Sequence, residues 1–136
     1  MNAIARVVIS SLVFACMLGS AMAAELTGAE LKDLLSGKSI YVQTTAASAA
    51  GTAGQGVLYY AADGHALYKT PTGAIWHGAW VVNDNAICGV WKERPSIPCS
   101  KYEKQGDTIT ILNTTNGEVR AEVLKIVAGN AENIAP

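Results

Sequence analysis

Short turn-forming segments recur along the chain after Gly37, and they constrain the fold more than any other feature. Before Gly37 the apolar residues recur at helical spacing, and beyond it they alternate with polar ones, as in β-strands. The turn signals are Asp63-Gly64, Pro71-Thr72-Gly73, Asn83-Asp84-Asn85, Gln105-Gly106 and Thr115-Asn116-Gly117. Tight turns join antiparallel neighbours, whereas parallel strands need long crossovers. We therefore predict a mainly β fold, with a short N-terminal helix packed on an antiparallel meander of about eight strands that forms a barrel-like or half-open sheet.

The predicted helix begins at a capping box. Thr27 can accept a hydrogen bond from the amide three residues later, and Glu30 can reach back to the amide of Thr27. Three leucines between residues 31 and 35 share one face, and Gly37 ends the helix. Because so short a helix is not stable alone, we expect its leucine face to cover the sheet.

The turn signals also predict strand register. A two-residue loop at Asp63-Gly64 would pair Tyr60 with Leu67 and Tyr59 with Tyr68.

At the last turn, a three-residue loop ending at Gly117 sets Ile111 against Ala121. This apolar agreement favours it over a two-residue loop, which would set Ile111 against a glutamate. The alternation then breaks between Val123 and Leu124, which predicts a bulge.

One predicted hairpin carries all three tryptophans of the chain. With its loop at Asp84-Asn85, Trp80 faces Gly89 and Gly78 faces Trp91, so that each indole can lie over a glycine of the neighbouring strand. Both faces of this hairpin are largely apolar, and we expect it to be covered on both sides.

The tryptophan face has two interpretations. Trp76, Trp80 and Trp91 either form a tryptophan-rich core or line a barrel mouth or groove in which a flat or apolar ligand stacks. On the second interpretation these three residues are the candidate ligand-binding site.

The first 24 residues have the pattern of an export signal. Arg6 precedes an apolar run from Val7 to Leu18, and Ala21-Met22-Ala23 fits a signal-peptidase site. The run is shorter than the roughly 20 residues that span a bilayer. We expect residues 1–24 to be a signal peptide, residues 25–136 to form a single β-rich domain in the periplasm or medium, and no transmembrane segment after cleavage.

The number of cysteines agrees with export. Cys16 leaves with the signal, so Cys88 and Cys99 remain and are expected to form a disulfide, because thiols outside the cytoplasm usually pair. In an alternative interpretation Cys16 is a lipoprotein cysteine, although the bulky Phe14 precedes it.

Composition argues against several functions. Ten Lys and Arg against eleven Asp and Glu, with no basic run, do not suit a nucleic-acid partner. His65 and His77 are not at zinc-ligand spacing, and Asp63 and Asp84 have simpler roles as turn residues. We therefore expect no catalytic residue, no metal and no cofactor, and a protein that is not an enzyme.

Several motifs occur in a characteristic order: Leu26-Thr27-Gly28-Ala29-Glu30-Leu31, Asp63-Gly64, Gly78-Ala79-Trp80, Cys88-Gly89-Val90-Trp91, Cys99, Gly106-Asp107 and Gly129-Asn130. In this the chain resembles a family of small exported bacterial proteins of unknown function. The resemblance implies export and a β-rich domain, and it brings no catalytic residue. More distantly, the size, signal and disulfide are similar to periplasmic inhibitors of lysozymes or proteases.

The predicted function is that of a small periplasmic, non-enzymatic binding or envelope-associated protein, whose partner is a small molecule or an envelope protein. The alternative is an inhibitor of a secreted hydrolase, a lysozyme or a protease. Its contact would be one of two loops, Ala46–Gln55 or Lys92–Pro98. The first loop has only small or uncharged residues, so it is either a plain flexible connection or a lid.

Overall fold

The computed structural model describes Gly19 and residues 22–136, so the predicted signal peptide lies largely outside the described residues. The elements are β1 (Ala24–Glu25), α1 (Gly28–Leu35), β2 (Lys38–Thr44), β3 (Gly54–Tyr60), β4 (His65–Lys69), β5 (Ile75–Asn83), β6 (Ala86–Trp91), β7 (Ser100–Gln105), β8 (Thr108–Asn113) and β9 (Val119–Ala128). The fold is mainly β with one short helix in the described part of the chain, as predicted. No helix among these residues is long and apolar enough to cross a membrane.

Strands β2 to β9 form a closed antiparallel barrel. Each strand pairs with the next in chain order, and β9 returns to pair with β2. β1 is an additional strand that pairs with β7 outside this circle. The predicted antiparallel meander is confirmed. Of the two predicted forms, a barrel-like or a half-open sheet, the structure has the barrel.

The seam between β6 and β7 is short. Within the described chain, Ile87 and Ser100 are the only residues of these two strands in register. The Cys88–Cys99 disulfide lies beside this pair and joins β6 to the residue that precedes β7. The predicted disulfide is confirmed, and it holds the barrel together where backbone pairing is weakest.

The helix closes one end of the barrel. The capping box forms as predicted, with the Thr27 amide donating to Glu30 Oε2 at 2.7 Å and the Glu30 amide donating to Thr27 Oγ1 at 3.3 Å. The amide and the hydroxyl of Thr27 both donate to the Glu30 carboxylate, and these hydrogen bonds lower its pKa. Leu31 and Leu35 are fully buried, and α1 packs against β2, β5 and β6. The helix therefore covers the end at which β2 begins and β5 ends.

The register of the tryptophan hairpin is the predicted one. Trp80 lies opposite Gly89, and Gly78 lies opposite Trp91. The indole of Trp91 lies over Gly78 as predicted, but it also lies over Gly89, where the prediction placed the indole of Trp80. A Cβ atom at Gly89 would be 2.8 Å from Trp91 Nε1, and one at Gly78 would be 3.0 Å from Trp91 Cε3. Trp80 instead donates from Nε1 to the carbonyl of Ala61 at 2.8 Å.

The expectation that this hairpin is covered on both sides is wrong. Val81 and Val90 point outward and are 58% and 63% exposed. The physical reason is that a closed barrel has one interior, and α1 lies over its end rather than over its outer wall.

The predicted register at Asp63-Gly64 is also wrong. Tyr60 pairs with Ala66, and Tyr59 pairs with Leu67. The next pair in this register is Ala61 and His65, with the Ala61 amide donating to the His65 carbonyl at 2.9 Å. The loop therefore has three residues, and its third, Gly64, has a φ of 96°. A slip of one residue moves every side chain to the other face. The observed register puts Tyr60 of β3 and Tyr68 of β4 on the same face, in the core.

The last hairpin follows the prediction only in part. Ile111 lies opposite Ala121 as predicted, and Gly117 has a φ of 73°. The loop has four residues rather than three, because the Asn113 amide donates to the carbonyl of Glu118 and Leu112 pairs with Val119. The predicted bulge at Leu124 is confirmed, because Val42 pairs with Val123 while the preceding residue of β2 pairs with Lys125.

Candidate functional site

A cavity of about 70 Å³ lies inside the barrel, towards the end opposite α1. Its wall is mostly apolar or aromatic: Val42, Leu58, Ile87, Ile111, Ala121, Tyr60, Tyr68, Trp91 and Tyr102. A smaller polar part of the wall comes from Thr44, Ser48, Ser100 and Arg120. The cavity thus combines an apolar body with one cationic group.

Two loops cover this end of the barrel. Residues 45–53 join β2 to β3, and residues 92–99 join β6 to β7. Ser48 is buried, and its hydroxyl donates to the carbonyl of Thr52 at 3.1 Å. The guanidinium of Arg94 donates to the carbonyl of Ala49, so the two loops touch. The two loops predicted separately as partner contacts therefore form one cover over the cavity, and Ser48 anchors the first of them.

A second bulge in β9 directs Arg120 into the barrel. Ile111 pairs with Ala121, whereas Leu112 pairs with Val119, which leaves Arg120 as the extra residue. Bulges of this kind change the direction of a side chain. Val119 is 45% exposed, but Arg120 and Ala121 are 6% and 3% exposed. The bulge thus places two successive side chains inside.

The guanidinium of Arg120 is only partly satisfied by the protein. Nη1 donates to the carbonyl of Pro98 at 2.8 Å and to Oγ of Ser100 at 2.7 Å. Nε is buried and has no hydrogen-bond partner among the described residues. The ion pairs of the described part of the chain do not include Arg120.

Burial lowers the pKa of the Arg120 guanidinium, Tyr60 opposes this effect, and the positive charge of Arg94 adds to it. Arginine nevertheless stays protonated in proteins. The cavity therefore contains a cation that is held away from water, and an unpaired buried charge is costly.

Three tyrosines, Tyr60, Tyr68 and Tyr102, line the same cavity. The hydroxyl oxygens of Tyr60 and Tyr102 are 3.4 Å apart. Burial raises the pKa of both, and it raises the pKa of Tyr68 to about 12. At neutral pH these side chains are hydrogen-bond donors as well as acceptors.

The three tryptophans of the predicted ligand site do not all contact the cavity. Trp91 lines the cavity, and Trp76 lies behind it, with ring centroids 6.2 Å apart. Trp80 packs edge-on against Tyr60 and is held by its bond to Ala61, nearer the α1 end. Of the three candidates, Trp91 is the one that contacts the cavity.

The histidines lie on the outer side of the barrel. His65 Nδ1 is 2.5 Å from Asp63 Oδ1, and His77 Nδ1 is 3.2 Å from Glu93 Oε1. The described residues contain no cluster of three or more metal-ligating side chains.

Sequence reasoning did not identify Arg120. In a regular strand Arg120 would lie opposite Leu112 on the outer face, and only the bulge moves it inside. One signal was available, because Arg94 and Arg120 are the two arginines of residues 25–136, and both are found at the cavity end.

No protein-family model, curated protein or solved structure matches the chain.

Proposed function

We propose that this chain is a small exported, non-enzymatic binding protein that holds a small molecule inside its barrel. The observation that carries the proposal is the buried, partly satisfied Arg120 in an otherwise apolar and aromatic cavity. Ligand sites have this composition, with a few placed polar groups on apolar walls. Stability alone does not call for such a residue, since replacing buried ions by apolar groups is often neutral or stabilising.

The charge states support binding rather than catalysis. Around neutral pH the guanidinium of Arg120 keeps its proton. The hydroxyls of the cavity tyrosines are neutral there, and burial raises their pKa values further above neutral pH. General acid–base catalysis works best with a group whose pKa lies near the operating pH. These groups can orient a ligand by donating hydrogen bonds.

Export to the periplasm or medium is supported by the signal-like first 24 residues and by the Cys88–Cys99 disulfide. The resemblance to small exported bacterial proteins agrees with this location. Expression of the full chain in a Gram-negative host, followed by fractionation and intact mass, tests it. We expect a periplasmic product that begins near Glu25 with both cysteines oxidised. A full-length cytoplasmic product with two free thiols would contradict export.

Ligand binding is tested by filling the cavity. Ala121 lines the cavity, and Ala121→Leu would occupy part of its volume. Ala79 is exposed on the outer face of β5, so Ala79→Leu is the matched control. Ligand-observed NMR with 1-butanol, butyramide and butyrate should show at least one compound that binds the wild type and the control but not Ala121→Leu. Binding of none, or equal binding to all three proteins, would contradict the proposal.

Inhibition of a secreted hydrolase remains the second candidate, and one observation favours it. The Arg94–Ala49 contact joins the two loops at one end of the barrel, which gives a continuous surface for a protein partner. A pull-down from periplasmic extract that retains a lysozyme or protease, together with inhibition of its activity, would support this role. Ala49→Asp should then weaken the capture, whereas a small-molecule binder should retain no hydrolase.

A further inference from the structure

We infer that the ligand of this cavity is an aliphatic carboxylate whose carboxylate group binds Arg120. The inference rests on the proposed function and names its ligand class. It follows from the geometry of one guanidinium, the groups around it and the size of the space that it faces.

The donor pattern selects an anion. Nη1 of Arg120 is used by Pro98 and Ser100, while the buried Nε is left without a partner among the described residues. A guanidinium presents its donors in a planar fork that matches the two oxygens of a carboxylate. A ligand carboxylate could accept from Nε and at the same time neutralise the buried charge.

The rest of the wall selects an aliphatic body. Val42, Ile87, Ile111 and the Trp91 indole face the same space, and such surfaces favour apolar groups because burial removes them from water. Tyr60 and Tyr102 line the same cavity, and because their hydroxyls share one hydrogen bond, one of the two protons is left to donate to a carboxylate oxygen. One charged end and an apolar remainder match this arrangement.

The volume limits the length of the ligand. A cavity of about 70 Å³ is roughly half the 150 Å³ of an engineered apolar cavity that binds benzene. With the cover closed, we therefore expect an aliphatic carboxylate of about two to four carbons. A longer acyl chain would need the Arg94–Ala49 contact to open, so the same carboxylate chemistry could belong to a free short acid or to the end of a longer one.

Isothermal calorimetry with the purified, disulfide-bonded domain tests the inference. The probes are propionate, butyrate and octanoate, each beside its primary amide, which has nearly the same shape and no charge. We expect each carboxylate that binds to do so at least tenfold more tightly than its amide, because charge-assisted hydrogen bonds are the stronger ones. Tightest binding of propionate or butyrate would identify a free short acid, and tightest binding of octanoate would identify a longer chain.

Substitutions at Arg120 test whether its positive charge is the one that binds the ligand carboxylate. Arg120→Gln should reduce butyrate affinity at least tenfold, and Arg120→Lys should lie between Arg120→Gln and the wild type because lysine keeps the charge but not the fork. Lys125→Gln is the matched control, since it removes a positive charge from the exposed side of the same strand. We expect Lys125→Gln to change butyrate affinity by less than threefold. Thermal unfolding of each variant shows that it is folded.

The outcomes separate the two proposals. Equal affinity for carboxylates and amides, with binding lost in Ala121→Leu, would overturn the carboxylate inference and leave the binding function in place. Binding of neither class would overturn both. Because the comparison of acid with amide is made on the wild type, it decides the inference even if the Arg120 variants fail to fold.

Discussion

Gly89→Ala tests the packing of Trp91, which forms one wall of the cavity. A Cβ atom at position 89 would lie 2.8 Å from Trp91 Nε1 and 3.2 Å from Cε2. Carbon atoms in good contact are about 3.5–4.0 Å apart, so the indole must shift by roughly 0.7 Å. Overpacking of this kind costs about 1–3 kcal/mol.

Part of this cost is offset in the unfolded state. Replacing glycine by alanine at a position with an ordinary φ stabilises by about 0.4–1 kcal/mol, because the unfolded chain loses freedom. We therefore expect a net loss of about 1–2 kcal/mol in the free energy of unfolding, or roughly 4–8 °C in Tm for a domain of this size.

Thermal melts and denaturant titrations in a double-mutant cycle with Trp91→Leu isolate the contact. Without the indole, Gly89→Ala should be neutral or slightly stabilising. Ala79→Val, on the exposed face of the same hairpin, is the control and should change stability by less than about 0.5 kcal/mol. If Gly89→Ala costs the same in both backgrounds, Trp91 does not lie over Gly89 and this wall of the cavity is misplaced.

Three further predictions concern the rest of the fold. Reduction of Cys88–Cys99, which are separated by 11 residues, should lower the free energy of unfolding by about 3 kcal/mol; an unchanged denaturant midpoint with reductant would contradict this. Burial raises the pKa of Tyr68 to about 12, so folded Tyr68 keeps its proton where the unfolded chain loses it. Stability should fall as pH rises from 10 to 12, and Tyr68→Phe should remove about 2 kcal/mol of that fall. A pH profile identical to the wild type would refute this assignment. Thr27→Ala should cost about 1 kcal/mol by loss of the helix cap, and Thr27→Ser should keep most of it in the same melts.

Much of the fold could be predicted because it depends on residues that are close together in the sequence. The capping box at Thr27 needs only residues three apart, and the tryptophan hairpin has a turn signal and two glycines that agree on one register. The Cys88–Cys99 pairing follows from the two cysteines that remain outside the predicted signal peptide. In each case the deciding residues are close in sequence, or so few that one pairing remains.

The cavity depends on contacts that sequence spacing does not encode. The inward direction of Arg120 is set by a one-residue bulge against β8, and the loop cover is set by a contact between Arg94 and Ala49, 45 residues apart. The predicted register of the hairpin at Gly64 is wrong for a related reason. An Asp-Gly pair fits two- and three-residue loops alike, and the burial of Tyr60 and Tyr68 decides between them.

The most direct test of the account is ¹⁵N NMR of the side chains of Arg120 and Trp91 during a titration with butyrate. The Nε–H of Arg120 is the buried donor without a protein partner among the described residues, and the Trp91 indole lines the same cavity. We predict that both signals shift together and saturate, while the Trp80 indole, which is bonded to Ala61, stays in place. Saturating shifts confined to outer residues such as Lys125, or no shift at Arg120 at millimolar butyrate, would contradict the account.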